Sequence, residues 1–243
     1  MLILLGCEES QAVCIEFRKL GHEAYSCDLQ PCSGGHPEWH LQMDIFEAIE
    51  LKKWDIGIFF PTCTYLTVTA NKWIKEQPLR KSGVLVGEAR REARREAIDF
   101  FMRLWNCDIP RISMENPIGC MSSVFQKPNQ IIQPYYFGDK SRKSTCLWLK
   151  NLPKLVYSKE NNLFEKQTIV EPDIYVFKNG NGTCSRDYMY ALKQGKDRAK
   201  IRSKTFPGIA KALATQYSAF ILSGLSIKEF EKLYISEINR IIA

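Results

Sequence analysis

Along its first sixty residues the chain alternates short apolar runs with stretches whose apolar positions recur every three or four residues. Leu2 to Gly6 is an apolar run that ends at a glycine, and from Ser10 to Leu20 the positions Val13, Phe17 and Leu20 share one helical face before Gly21. His22 to Cys27 alternates as a second strand ending at Asp28, followed by a Pro- and Gly-rich loop up to Trp39. A β-α-β unit results. Asp44 and Ile45 precede a short helix through Ile49, and Trp54 to Phe60 is an apolar run of strand length closed by Pro61. That pattern predicts a buried strand whose end carries Cys63.

Thr64 to Val86 has no clean period and contains Pro78 and Gly83. Glu88 to Trp105 then sets Ala93, Ala97, Phe100, Phe101 and Leu104 on one helical face, and the Arg and Glu opposite them read as a solvated surface. Arg111 to Met114 predicts a strand running into Glu115-Asn116-Pro117, and Thr145 to Leu149 predicts another after the basic segment Lys140 to Lys143. Asn151 to Lys204 is polar and irregular, with a turn-prone Asn179-Gly-Asn-Gly. After Pro207-Gly208 a helix is expected from Ile209 to about Leu222, and Ser226 with Glu229 fits the capping box of a last helix. Strands alternating with helices imply an α/β fold on a mostly parallel sheet.

At 243 residues and 45% hydrophobic content the chain can bury one full core. Its apolar runs are too short to span a bilayer and lack secretory flanks, so a cytoplasmic protein without membrane contact is expected. Nine cysteines scattered through such a chain read as free thiols. A formal charge of +7 favours a polyanionic partner only where it clusters, and it clusters in Arg186, Lys193, Lys196, Arg198, Lys200, Arg202 and Lys204. Arg186, Lys196, Arg198 and Arg202 are the candidates for contact with nucleic-acid phosphates.

Four strand ends bring the chemistry together: Gly6, Asp28, Pro61 to Cys63, and Glu115. In parallel sheets ligands sit at the carboxyl ends of the strands. Asp28 suits the ribose hydroxyls of an adenosine-type cofactor, or else caps a turn. The first turn, Gly6-Cys-Glu-Glu-Ser, lacks the G-x-G-x-x-G spacing that admits a pyrophosphate, and its two glutamates would repel one. A sulfonium cofactor, positive and free of phosphate, is compatible with it. Cys63 is either a nucleophile or an inert buried thiol, and Glu115 either its proton-handling partner or a structural carboxylate. Cys27, Cys32, His36 and His40 do not keep the spacing of paired zinc ligands, and no metal is expected. Zinc deaminase and Ser-His-Asp motifs are absent.

This ordered set resembles the DNA cytosine-5 methyltransferases, and more closely the short cytosine-methylase-like proteins of phages and prophages. The resemblance covers most of residues 1 to 224. Leu4-Leu5-Gly6 is similar to the cofactor-binding first motif, Asp28 to its ribose ligand, and Met43-Asp44-Ile45 to the segment at the adenine. Pro61-Thr62-Cys63 stands where the family has its Pro-Cys nucleophile and Glu115-Asn116-Pro117 where it has Glu-Asn-Val. Lys140 to Lys143 resembles the Arg-bearing motif that holds the base, with Arg142 as counterpart, and Phe206-Pro-Gly-Ile-Ala resembles the segment closing the cofactor pocket.

The resemblance implies a Rossmann-like SAM-dependent methyltransferase fold with a reduced target-recognition lobe. Residues 1–150 would form the SAM-binding catalytic core, 151–204 a small basic insert and 205–243 helices completing the core. S-adenosyl-L-methionine would be held by Gly6, Glu8, Asp28, Asp44 and Pro61, and catalysis carried by Cys63, Glu115 and Arg142. The partner would be DNA, duplex with a flipped cytosine or single-stranded, in a bacterial or phage-infected cell. Thr62 separates Pro61 from Cys63, the first turn has one glycine, and Leu149 to Phe206 is short for a recognition region. A free cytosine nucleotide or RNA as substrate, or an inactive nucleic-acid-binding or counter-defence protein on the same fold, are the other readings.

Overall fold

A computed structural model describes residues 1–79, 83–157, 169–179, 182–187 and 203–233. Its centre is a seven-stranded sheet in the order β3-β2-β1-β4-β5-β7-β6. The strands are β1 (Leu2–Gly6), β2 (Glu23–Cys27), β3 (His40–Leu41), β4 (Ile56–Phe59), β5 (Ile112–Pro117), β6 (Gln130–Ile132) and β7 (Thr145–Lys150). The first five are parallel to one another, and β7 runs antiparallel between β5 and β6. This is a Rossmann-like α/β fold with a mostly parallel sheet. A separate antiparallel pair, β8 (Ile174–Asn179) and β9 (Gly182–Asp187), lies in the stretch expected to be irregular and brackets the turn-prone glycines.

The central strands are apolar on both sides because both faces are covered. Ile3, Leu5, Ile56, Ile58, Leu147 and Leu149 share one core with Val13, Cys14 and Phe17 of helix α1 (Ala12–Lys19) and with helix α5 (Pro207–Ser223). Leu4, Phe59, Cys146 and Trp148 point the other way, onto α2 (Ile45–Glu50) and α3 (Gly87–Trp105). The period of two thus assigns alternate residues of one strand to two different cores. A one-turn helix α4 (Met121–Val124) follows β5.

Local signals set the helix ends. Asp44 caps α2 by accepting from the Phe46 amide at 2.8 Å. Pro207 starts α5, and Gly224 ends it at φ 65°. Ser226 and Glu229 form the expected capping box, with the Ser226 amide donating to Glu229 Oε2 at 2.9 Å. Leu20 departs from expectation: it is the C-cap of α1 and 44% exposed, because Gly21 at φ 80° turns the chain away. Cys14 takes its place in the core.

Gly6 is fixed by packing. A Cβ there would fall 2.5 Å from Phe59 Cδ1 and 2.7 Å from Ile45 Cδ1, both on buried side chains. Gly6→Ala is therefore expected to cost about 1–3 kcal/mol through overpacking, measured as a fall in the urea midpoint at unchanged slope. An unchanged midpoint would show that Phe59 yields freely.

Candidate active site

The order of the sheet reverses between β1 and β4, where connections leave to opposite faces, and such a switch point opens a crevice at the carboxyl ends of the strands. Register aligns Gly6 with Cys27 on one side and Phe59 on the other, and Phe59 with Met114. The residues just beyond these ends, Cys7, Asp28, Phe60 to Cys63 and Glu115, consequently share one edge. The Phe60 amide donates to Gly6 O at 2.9 Å and the Glu8 amide to Cys27 O at 3.2 Å, which ties the turns together.

On the β1–β2 side the edge is acidic. Cys7 takes a left-handed conformation at φ 59°, and burial pushes its thiol up to about 12, with the negative charges of Asp28 and Asp44 adding to the shift. Both carboxylates therefore bear on the first turn. Each commits Oδ1 to the backbone, Asp28 to the Gln30 amide at 2.9 Å and Asp44 to Phe46. A carboxylate has acceptor capacity beyond one such bond.

Glu8 is placed differently from the rest. Its carboxyl turns inward, with Oε1 accepting from the Val13 amide at 2.6 Å and Oε2 from Cys14 at 3.2 Å, so it serves the first turn of α1. Burial outweighs those two amides and raises its pKa to about 8. A carboxyl whose folded pKa lies above its ordinary 4.5 binds more protons folded than unfolded, so stability declines as pH rises from 4.5 and levels off past about 8. Thermal midpoints across that window are expected to fall less in Glu8→Gln than in the wild type. Parallel curves would refute the assignment.

On the β4–β5 side, Pro61 is buried while Thr62 and Cys63 are exposed. Among the described cysteines Cys63 is the exposed one, whereas burial drives the thiols of Cys14 and Cys27 up to about 12 and that of Cys146 to about 11. Buried Asn116 donates from Nδ2 to Pro61 O at 2.8 Å, fastening the end of β5 to the turn that leads into Cys63. The segment after Cys63 is stitched onto the segment after β5: Cys120 N donates to Leu66 O at 2.8 Å and Val68 N to Ile118 O at 3.2 Å, while Thr67 bridges to Gly119. A Cβ on Gly119 would sit 2.2 Å from Leu66 O, so a larger residue would part the two segments. Glu115 and Cys63 are thereby carried on neighbouring, cross-linked stretches.

Burial raises the pKa of Glu115, opposed by the Lys143 ammonium and a hydrogen bond from Thr145. The basic segment divides accordingly. Lys143 bears on Glu115 and lies 6.0 Å from the Phe206 ring centroid, while Arg142 is exposed and bears on Tyr135. Phe206 leads into α5, whose Gly208 amide donates to Asp139 Oδ2 at 2.8 Å.

Elsewhere, His40 spends its ring nitrogens on Ser26 Oγ and Gln30 O, both at 2.8 Å, and His36 stacks on Trp39 at 3.8 Å. Among the described residues no group of three His, Cys, Asp or Glu side chains is arranged to hold a metal, and no helix is long and apolar enough to cross a membrane. Arg186 lies on β9 opposite Tyr175. Lys193, Lys196, Arg198, Lys200 and Arg202 lie outside the described residues. The face of α3 that read as solvated holds a buried arginine, Arg90. Asn116, Lys143 and Arg90 are the site's contributors that pattern alone does not single out.

No family model matches the chain, and no curated protein does. Among solved structures it is similar to a prophage-encoded E. coli protein named as a DNA modification methyltransferase, at 13% identity and a TM-score of 0.38 over 70% of this chain and 52% of that one. It is also similar to the S. pombe Dnmt2 methyltransferase, at 15% identity and a TM-score of 0.38 over 63% of this chain and 50% of that one. The chain spans about half the length of each.

Proposed function

We infer that this protein transfers a methyl group from S-adenosyl-L-methionine to carbon 5 of cytosine in DNA, with Cys63 as nucleophile. The observation that carries the reading is the exposed Cys63 on a turn that Asn116 binds to β5, the strand that carries Glu115, whose proton burial holds more tightly than a carboxylate's usually is.

The donor set at the β1–β2 edge fits the cofactor. Asp28 supplies acceptors for ribose hydroxyls, and Asp28 with Asp44 places negative charge where a sulfonium would be drawn. Nothing in the first turn is built to receive phosphate. When bound there, the cofactor supplies an electrophilic methyl group.

The chain's own groups do the rest. The Cys63 thiolate adds to carbon 6 of the ring, the electron pair of the 5,6 double bond moves toward nitrogen 3, and that nitrogen takes the proton of Glu115. Carbon 5 becomes nucleophilic. Once carbon 5 is methylated, a base removes its proton, the double bond re-forms, Cys63 leaves as thiolate and nitrogen 3 returns its proton to Glu115. A target inside a duplex must first be turned out of the stack. Lys143, bearing on Glu115, and Arg142, further out, would face the base and its phosphate.

Transfer of labelled methyl from the cofactor to unmethylated duplex DNA, with the product base identified after digestion, tests the reading. Label in 5-methylcytosine is the expected result. Label in RNA or free nucleotide alone would shift the substrate, and no label with cofactor binding absent would overturn the enzymatic reading.

A further inference from the structure

The four arginines in the first half of α3 divide by what they pair with. Arg91 and Arg95 pair with Glu76, Glu88 and Glu92, Arg91 also reaching the Ile74 carbonyl. Arg90 and Arg94, one turn apart on a common face, donate to backbone carbonyls instead. Arg90 Nη2 reaches Thr64 O at 2.6 Å, and Arg94 Nε reaches Tyr65 O at 2.8 Å with its Nη2 on Asn71 Oδ1 at 2.9 Å. Those are the two carbonyls that directly follow Cys63.

The arrangement is costly. Arg90 is 5% exposed, its guanidinium lies 4.6 Å from the Tyr65 ring centroid, and its Nε is buried without a hydrogen-bond partner among the described residues. Neither Arg90 nor Arg94 pairs with a carboxylate among the described residues. A buried guanidinium facing only a neutral carbonyl and a ring is poorly compensated, and an apolar side chain of similar volume would serve stability as well or better. What the charge does provide is a fixed direction for the carbonyl it holds.

The rest of the turn is held just as fully. Pro61 O accepts from Asn116, Cys63 O from the Leu66 and Thr67 amides at 3.1 Å each, and Leu66 O from Cys120. Every one of these partners except the two arginines belongs to the turn, to β5 or to the segment after it. We propose that Arg90 and Arg94 are positioning residues, clamping the turn from α3 so that the Cys63 sulfur is presented to carbon 6 of the base. This rests on the reaction assigned to Cys63.

Arg94→Met removes the fork at the half-buried position and keeps the stem. Arg90→Met does the same at the buried one. Three quantities are read in each: amide hydrogen exchange over residues 62–68, cofactor affinity by calorimetry, and kcat for methyl transfer to DNA. Exchange over 62–68 is expected to accelerate and cofactor affinity to stay within about twofold, while kcat falls between about ten- and a hundredfold, the scale of a small misplacement of a reacting group. A purely structural arginine would lower the thermal midpoint and leave kcat of the folded protein intact. Unaltered exchange at 62–68, or wild-type kcat, in both folded variants overturns the clamp alone. A wild type that transfers no methyl group overturns the reaction, and the positioning role with it.

Discussion

Cys63→Ala is expected to transfer no methyl group above background while binding the cofactor as the wild type does. The expectation follows from where the side chain sits. Cys63 is exposed on a turn and takes no part in either core cluster, so removing its sulfur creates no buried cavity. The cofactor's expected contacts lie across the edge, at Asp28 and Asp44. Loss of transfer with intact affinity, by calorimetry on the folded variant, would locate the defect in the chemical step. Full transfer by Cys63→Ala would remove the covalent mechanism, because burial pushes the thiols of Cys7, Cys14 and Cys27 up to about 12 and that of Cys146 to about 11, and raises that of Cys120.

Glu115→Gln is expected to have the second largest effect, lowering kcat by about 10²–10⁴-fold, the usual worth of a positioned general acid. An amide cannot release a proton to nitrogen 3, though it fills the same space beside Thr145. The pH dependence carries a further signature. Because burial raises the Glu115 pKa, the wild-type rate should decline as pH climbs through that raised value, and the variant should lack this limb. Stability moves the opposite way. A carboxyl with a raised folded pKa loses stability for the fold as pH rises above its ordinary value of 4.5, so Glu115→Gln should gain on the wild type from there upward. A variant that keeps its rate would make Glu115 a structural carboxylate.

The legible parts of this fold were those governed by one local rule. The alternation of Ile3, Leu4 and Leu5, or of Leu147 and Trp148, follows from a sheet covered on both faces, and the capping box at Ser226 follows from the orphan amides at a helix start. Strands β3 and β6, two and three residues long, are too short to show a period. The β8–β9 hairpin hid inside a polar stretch whose turn signal was visible and whose strands were not.

The site was legible as a set of strand ends, since register alone brings Gly6, Asp28 and the Pro61 turn to one edge. What holds it was not. Glu8, grouped with the cofactor ligands by its place in the first turn, spends both oxygens on α1 amides, a choice that depends on a backbone direction no pattern specifies. Arg90 and Arg94 share a helix with Arg91 and Arg95 and are indistinguishable from them by spacing. Only the approach of the Cys63 turn separates a carbonyl clamp from an ion-paired surface.

DNA containing 5-fluorocytosine should trap the covalent bond between Cys63 and carbon 6 of cytosine. Fluorine at carbon 5 cannot be removed as a proton is, so once carbon 5 is methylated the adduct has no route to expel Cys63 and should persist. Incubation with the cofactor, digestion and mass spectrometry of the peptides is expected to find the modified base on Cys63. Methyl transfer to ordinary DNA with no trapped adduct, or an adduct on another residue, would rule out Cys63 as the nucleophile.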